Sequence, residues 1–366
     1  MELRKKRGNR KGYTTGACTA AAAHAAAIGL VCGQIPKVVS CLLPNETEVD
    51  FKIESSFYEQ RHTRAVVIKD AGDDPDVTDK AHLTVDLYLL NNNIGEIILT
   101  NGVGVGTVTQ AGLGLEVNGP AINPIPQKNI RDNIYAVAKD LLNDYGIKLV
   151  VSVPNGEQIA KRTLNSRLGI IGGISILGTS GIVHPWSTAA FRSSVIQAID
   201  VAANQGHKLI VLTTGGRTEK FVISQMPDLV PICFVQMGDF IKVALDSCVK
   251  HKIKRVVIGA MVGKLAKMAQ GENITHARKN PVNMQIVADI AKKAGANKAV
   301  IEDILNANTA RYASEKMQEI GLIDDFYKQL AHQVLETLLT KYQYQFSLKI
   351  MICDFEGNKR FELDSE

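Results

Sequence analysis

From about Lys128 to residue 258, helical stretches alternate with short apolar strands. That alternation is the sequence form of βαβ units, which close on a largely parallel sheet. The periodicity predicts helices over 128–145, 157–167, 187–205 and 238–251, and strands over 148–153, 174–177, 209–212, 232–235 and 255–258. Helices are also predicted over 281–294, 299–319 and 323–341. The tail from Ser347 alternates like a β-hairpin turning at Glu356-Gly357-Asn358. Before residue 127 the text is different. Strands predicted over 38–43, 64–69, 83–90 and 96–100 are separated by glycine and proline, with one early helix over 17–28 that stops at Gly29. Prolines 120, 124 and 126 argue against regular structure in the segment between the two patterns. The expected organisation is therefore an α+β domain over 1–127, followed by an α/β Rossmann-like domain over 128–366 with a mostly parallel sheet. The C-terminal helices and hairpin belong to the second, and 366 residues suit two domains.

Composition removes several classes of partner. A net charge of +5 is too mild and dispersed to argue for nucleic acid, and a single tryptophan, Trp186, leaves no stacking platform for a single strand. A small anionic ligand remains compatible. The six cysteines form no CxxC pair and the histidines no HExxH, so a sequence-local zinc site is not expected. No secretory signal core follows the basic start, and no segment reads as a membrane span, so a cytoplasmic protein with reduced thiols is expected.

Ligands of an open parallel sheet bind beyond the carboxyl ends of its strands, where helix N-termini and free amides converge. Each predicted strand end here carries glycine: Pro154-Asn155-Gly156-Glu157, Gly178-Thr179-Ser180-Gly181, Thr213-Thr214-Gly215-Gly216-Arg217, Met237-Gly238-Asp239 and Gly259–Lys264. Five such junctions imply a backbone-lined cleft for a nucleotide-like cofactor, although glycine also simply eases strand-to-helix turns. GxGxxG is absent from the first junction, which argues against ordinary NAD binding, and the 259–264 loop lacks the spacing and hydroxyl of a Walker site. Gly104 and Gly106 lead into β-branched residues, and suit the approach of a flat ligand to bare backbone.

Four further features carry candidate chemistry. Between two predicted strands, residues 70–79 hold five carboxylates, including Asp73, Asp74 and Asp76. A solvated turn and a proton-transfer site both fit, and mutual repulsion is expected to raise the carboxyl pKa values. The turn Gly12-Tyr13-Thr14-Thr15-Gly16 precedes a helix that is alanine at eight of its first eleven positions, where free amides could accept an anion or the threonines could act only as caps. His184 is the histidine nearest the predicted cleft. Lys5, Lys6, Arg7, Arg10 and Lys11 form a basic end.

Taken in order, GYTTGACTAAAA, KDAGDDPDVTDKA, GVGVGTVTQAGLGLEVNGPAINPIP, GTSGIVHPWS and TTGGRTEKF resemble the cobalt-precorrin-5B (C1)-methyltransferase family of anaerobic cobalamin biosynthesis. The likeness runs from about residue 8 to 355, with small departures at Ala17, Gln110 and Glu116. The resemblance implies transfer of a methyl group from S-adenosylmethionine to carbon 1 of a cobalt-bound corrin precursor, giving cobalt-precorrin-6A, with cobalt present only inside the substrate. On positional grounds the second domain is expected to hold S-adenosylmethionine on Gly156, Glu157, Thr179, Ser180, Gly181, Thr214, Gly215, Gly216, Gly238 and Asp239. The first would present the macrocycle on Thr14, Thr15, Gly104 and Gly106, with Asp73, Asp74 or Asp76 moving the ring proton and His184 as competing base. A nicotinamide-dependent tetrapyrrole reductase and a non-catalytic corrinoid carrier stay open as alternatives. So do a homo-oligomer and a transient hand-off to neighbouring pathway enzymes.

Overall fold

The computed structural model describes residues 8–276 and 281–366. Residues Lys5, Lys6 and Arg7 of the basic end lie outside them. The chain folds as two compact units, Met1–Thr188 and Ala189–Glu366.

The first unit is built around α1 (Thr15–Cys32), whose alanines are buried on every side. Alanine is the strongest helix former, and its small side chain lets α1 lie close to its neighbours. Its 18 residues and mean hydropathy of 1.5 would suit a membrane span, a length the sequence reading did not credit to it, yet 78% of it is buried inside its own protein. Around it pack a sheet and α2 (Pro124–Ala138). The sheet strands are β1 (Ser55–Glu59), β2 (His62–Ile68), β3 (His82–Leu90), β4 (Ile97–Asn101) and β5 (Gly146–Ser152), in the spatial order β1-β2-β3-β5-β4. Period-two alternation turns Ala65, Val67, Leu83, Val85, Leu87, Ile147, Leu149 and Val151 into one core with α1.

This unit corrects the expected domain boundary. The strand predicted at 148–153 does not begin the parallel sheet; as β5 it pairs antiparallel with β3 and parallel with β4. The helix after the proline-rich segment also belongs here, so the division falls after Thr188 and not after residue 127. Prolines 124 and 126 start that helix instead of excluding it, because the first-turn N–H groups need no intrahelical partner.

The second unit alternates helix and strand. It comprises α3 (Thr188–Asn204), β6 (Leu209–Thr213), α4 (Gly216–Gln225), β7 (Phe234–Gln236), α5 (Ile241–Lys250), β8 (Arg255–Ala260), α6 (Val262–Ala269), α7 (Met284–Lys293), α8 (Lys298–Leu305), α9 (Ala310–Glu319), α10 (Ile323–Lys341), β9 (Ser347–Cys353) and β10 (Lys359–Asp364). The spatial order is β7-β6-β8-β9-β10; the first four strands are parallel and β10 returns antiparallel from the predicted hairpin. Buried on both faces, β6 and β8 are continuous apolar runs. Counted within the unit the order is 2-1-3-4-5, which reverses direction between β6 and β8. At such a switch point the strand exits diverge and leave a crevice.

Candidate active site

Three segments far apart in sequence converge on the N-terminus of α1. Gly12 and Tyr13 pair with Val183 and Ile182, and the Tyr13 N–H donates to Asp70 O at 2.8 Å. The Thr14 N–H donates to Gly181 O at 2.9 Å, and the Trp186 N–H donates to Asp74 Oδ1 at 2.9 Å. The turn at 12–16, the acidic loop and residues 178–186 are thereby one cluster. Gly178 is required in it, because a Cβ there would lie 2.3 Å from Thr14 Oγ1.

Most of the expected free amides at this helix end are occupied. Thr14 Oγ1 accepts from the Ala17 N–H, and the Gly16 N–H donates to Leu177 O. The Thr15 hydroxyl accepts from the Leu177 N–H at 2.9 Å and lies 3.3 Å from the Ser175 and Leu177 carbonyls. Thr14 and Thr15 therefore cap and staple the helix, and their hydroxyls are already committed. Ser180 Oγ bonds locally to Ile182, while Thr179 and His184 are exposed.

Each carboxylate of the acidic loop is engaged. Arg10 donates from Nη1 and Nη2 to the two oxygens of Asp70, and its backbone N–H donates to Asp73 Oδ2. Asp79 accepts from the Ala71 N–H. Asp76 Oδ2 accepts from Lys69 Nζ at 2.8 Å, and its Oδ1 accepts from the Thr78 N–H and hydroxyl. The expectation of mutually raised pKa values fails at two positions. The Arg10 hydrogen bond lowers Asp70 to about 2. At Asp76 burial opposes ionisation, but the Lys69 ammonium and the Thr78 bonds outweigh it and the pKa falls. A carboxylate whose pKa is depressed on folding stabilises above its unfolded value and loses that contribution as pH drops through the folded value. For Asp70 the window runs from about pH 4 down to about 2. Thermal melts across that range should show stability falling with pH, and Arg10→Gln should flatten part of the fall.

The remaining candidates of the first unit separate from this cluster. Gly104, Gly106 and Gly156 are buried, and what approaches them is the chain's own backbone and core. A Cβ at Gly104 would meet Val153 O at 2.0 Å, one at Gly156 would meet Gly104 O at 2.1 Å, and one at Gly106 would meet Ile170 Cγ2 at 2.3 Å. The space expected for a flat ligand is filled. Glu157 follows in a helix of five residues, Gly156–Ala160, too short to present an anion-binding end. Neither the 154–157 nor the 178–181 junction lies on the parallel sheet, so the five-junction cleft reduces to three.

Those three lie at the carboxyl edge of the second unit's sheet. After β6, the N–H groups of Gly215 and Gly216 have no hydrogen-bond partner among the described residues, and a Cβ at either would meet nothing within 4 Å. Across the switch point, Gly263 at the start of α6 is equally open. The loop is held by Thr218, whose hydroxyl accepts from the Thr214 N–H and donates to Gly215 O. Two straps frame the opening. Lys264, after β8, pairs with Asp239, after β7, and so spans the exit of β6 lying between them. Arg217, after β6, donates to Phe355 O, after β9, and so spans the exit of β8. Asp239 is thus committed to Lys264 and to the Thr275 hydroxyl. A Cβ placed on Gly238 would lie 3.0 Å from the Phe191 ring. Glu219, buried in the first turn of α4, accepts from Gln236 Nε2 at 2.6 Å. A separate groove of about 560 Å³, lined by Ile286, Asp289, Ile290, Lys293 and Gln333 among others, contains none of the sequence-predicted residues.

Residues 2–185 match the family described as CbiD, and residues 274–362 match its separately described C-terminal domain. The chain belongs to the CbiD family. Within it, the chain is 59% identical to the cobalt-precorrin-5B C(1)-methyltransferase of Methylococcus capsulatus, over 99% of this chain and 95% of that protein. It is 55% identical to the enzyme of the same name from Dechloromonas aromatica, over 97% and 91%. Among solved structures, the cobalamin biosynthesis protein CbiD of Archaeoglobus fulgidus is 27% identical over 72% of this chain and 81% of that one, with a TM-score of 0.39.

The first CbiD match ends at residue 185, close to the end of the first compact unit. In this CbiD chain the sequence reading missed Lys69 and the two straps. Lys69 carried a signal, since a lysine closing the apolar run Ala65-Val66-Val67-Ile68 needs a buried partner. Lys264, Arg217 and Phe355 carried none, because their partners lie 25 and 138 residues away.

Proposed function

We propose that this chain transfers the methyl group of S-adenosylmethionine to carbon 1 of cobalt-precorrin-5B. The reading is carried by the 59% identity with a named methyltransferase along nearly the whole chain. Elementary chemistry supports it. An electron pair on the ring carbon attacks the sulfonium methyl, the S–CH3 bond breaks toward sulfur, S-adenosylhomocysteine leaves, and the macrocycle loses a proton. The methyl group is already activated in the donor, so the protein's main contribution is to position the two carbons, which supplies a large part of such a rate.

The donor is assigned to the second unit, on Thr214, Gly215 and Gly216 with Gly263 across the switch point. What supports this is the contrast between two helix ends. At α1 the Gly16, Ala17 and Cys18 amides are taken by the chain itself; at α4 the Gly215 and Gly216 amides have no partner among the described residues, and a Cβ at either glycine meets nothing within 4 Å. The macrocycle, a polycarboxylate, is assigned to the first unit's cluster, with Asp74 as proton acceptor and His184 as its rival.

An anaerobic incubation of the protein with methyl-labelled S-adenosylmethionine and the purified cobalt intermediate tests the reaction. Label retained on the macrocycle, read by mass spectrometry, is the required result. Gly216→Val tests the donor site. Its backbone is not in the left-handed region and a Cβ added there meets nothing within 4 Å, so the fold should be kept. Filling the ligand's space should weaken S-adenosylhomocysteine binding roughly 10- to 100-fold by calorimetry.

A further inference from the structure

We infer that the Phe355 ring is the platform on which the donor's adenine base stacks. The inference rests on the assignment of the donor to the second unit and adds the group that selects its base. Phe355 lies two residues beyond β9, on the same sheet edge as the open glycines. The Arg217 strap, 3.3 Å from Nη1 to the Phe355 carbonyl, holds it beside the opening instead of letting the loop swing outward.

One face of the ring is already covered. The Arg311 guanidinium carbon sits 4.3 Å from the ring centroid. Phe355 nevertheless remains 38% exposed. A large apolar side chain left open at a sheet edge lined by free amides is a surface waiting for a flat partner. Purines supply one, since every base presents a π-face to an aromatic ring.

The ring is also held in place before any ligand arrives. Asp354 accepts from the Glu356 and Asn358 N–H groups, from Asn358 Nδ2 and from Arg360 Nη2. A loop fixed in this way loses little freedom on binding, which favours affinity.

Calorimetry with S-adenosylhomocysteine and the full-length protein tests this. Phe355→Leu keeps an apolar side chain and the carbonyl that Arg217 uses, and should weaken binding at least about tenfold. Phe355→Trp should bind within about threefold of the parent, and its emission should be quenched on titration beyond the change shown by the parent's own Trp186. Phe355→Leu binding as tightly as the parent overturns the stacking role and leaves the donor site standing. So does saturable binding to Phe355→Trp without quenching. If the parent itself binds no S-adenosylhomocysteine, the donor assignment fails and this inference fails with it.

Discussion

Asp74→Asn should slow methyl transfer by about 100-fold or more while S-adenosylhomocysteine binding stays as in the parent protein. Correctly placed general bases are typically worth about 10²- to 10⁴-fold. The substitution is chosen to leave the fold alone. Asp74 Oδ1 accepts from the Trp186 N–H, and the asparagine oxygen can accept the same bond, so the junction between the acidic loop and residues 178–186 survives. What is lost is the negative charge and the ability to take a proton. Asp70, by contrast, is locked by Arg10, and Asp76 by Lys69 and Thr78. Asp73 accepts from the Arg10 backbone. Asp73, Asp74 and Asp79 each accept only from a backbone N–H, and of these three Asp74 is the one bonded to the 178–186 segment that carries His184. Single-turnover rates with labelled donor decide the matter, and His184→Gln serves as the comparison. Full activity in Asp74→Asn together with a comparable loss in His184→Gln would move the base to the histidine.

How much of this was legible in the sequence depends on where each partner lies. Helix α10 was read to the residue, at 323–341, because its apolar positions repeat locally over five turns. The C-terminal hairpin was visible from its alternation and α1 from its run of alanines, although α1 continues through Gly29 to Cys32 and is capped by Gly33 instead of stopping at Gly29. Helix 299–319 was not. It breaks at 306–309, where Thr309 caps a new helix by accepting from the Tyr312 N–H. The strand that became β5 was seen as a strand but placed in the wrong sheet. An apolar run announces burial and not the identity of its neighbour, and β5's neighbours, β3 and β4, lie upstream.

The site shows the same division. The motifs at 12–16, 70–79 and 178–186 stood out as text, yet their convergence is non-local, so residues now in one cluster were divided between two domains. The glycines at 178 and 181 looked like a strand-to-helix turn. Gly178 is there because Thr14 occupies the space a side chain would need. At 213–217 the local rule was sufficient, since a strand of this sheet does end there and a helix does begin.

Asp76→Asn should differ sharply from its neighbour, by unfolding the first unit more easily and not by removing a catalytic group. Lys69 is 1% exposed and its ammonium donates to Asp76 Oδ2. Deleting the counter-charge leaves a buried cation unpaired, and breaking a buried pair from one side costs roughly 3–5 kcal/mol. The Thr78 bonds do not compensate, because the asparagine oxygen only replaces the acceptor they already had. Lys69→Met alone leaves the less buried partner, Asp76, and should cost less. The double variant Lys69→Met/Asp76→Asn removes both charges and retains an acceptor for Thr78, so it should recover most of the loss. Chemical denaturation of the four proteins gives the coupling directly. The parent's advantage should also shrink in acid: with its pKa lowered by folding, Asp76 stabilises above the ordinary carboxylate range and less as pH falls through its folded value. Additive single effects would mean that the two charges act independently, and Asp76 would then return to the list of candidates for the chemistry itself.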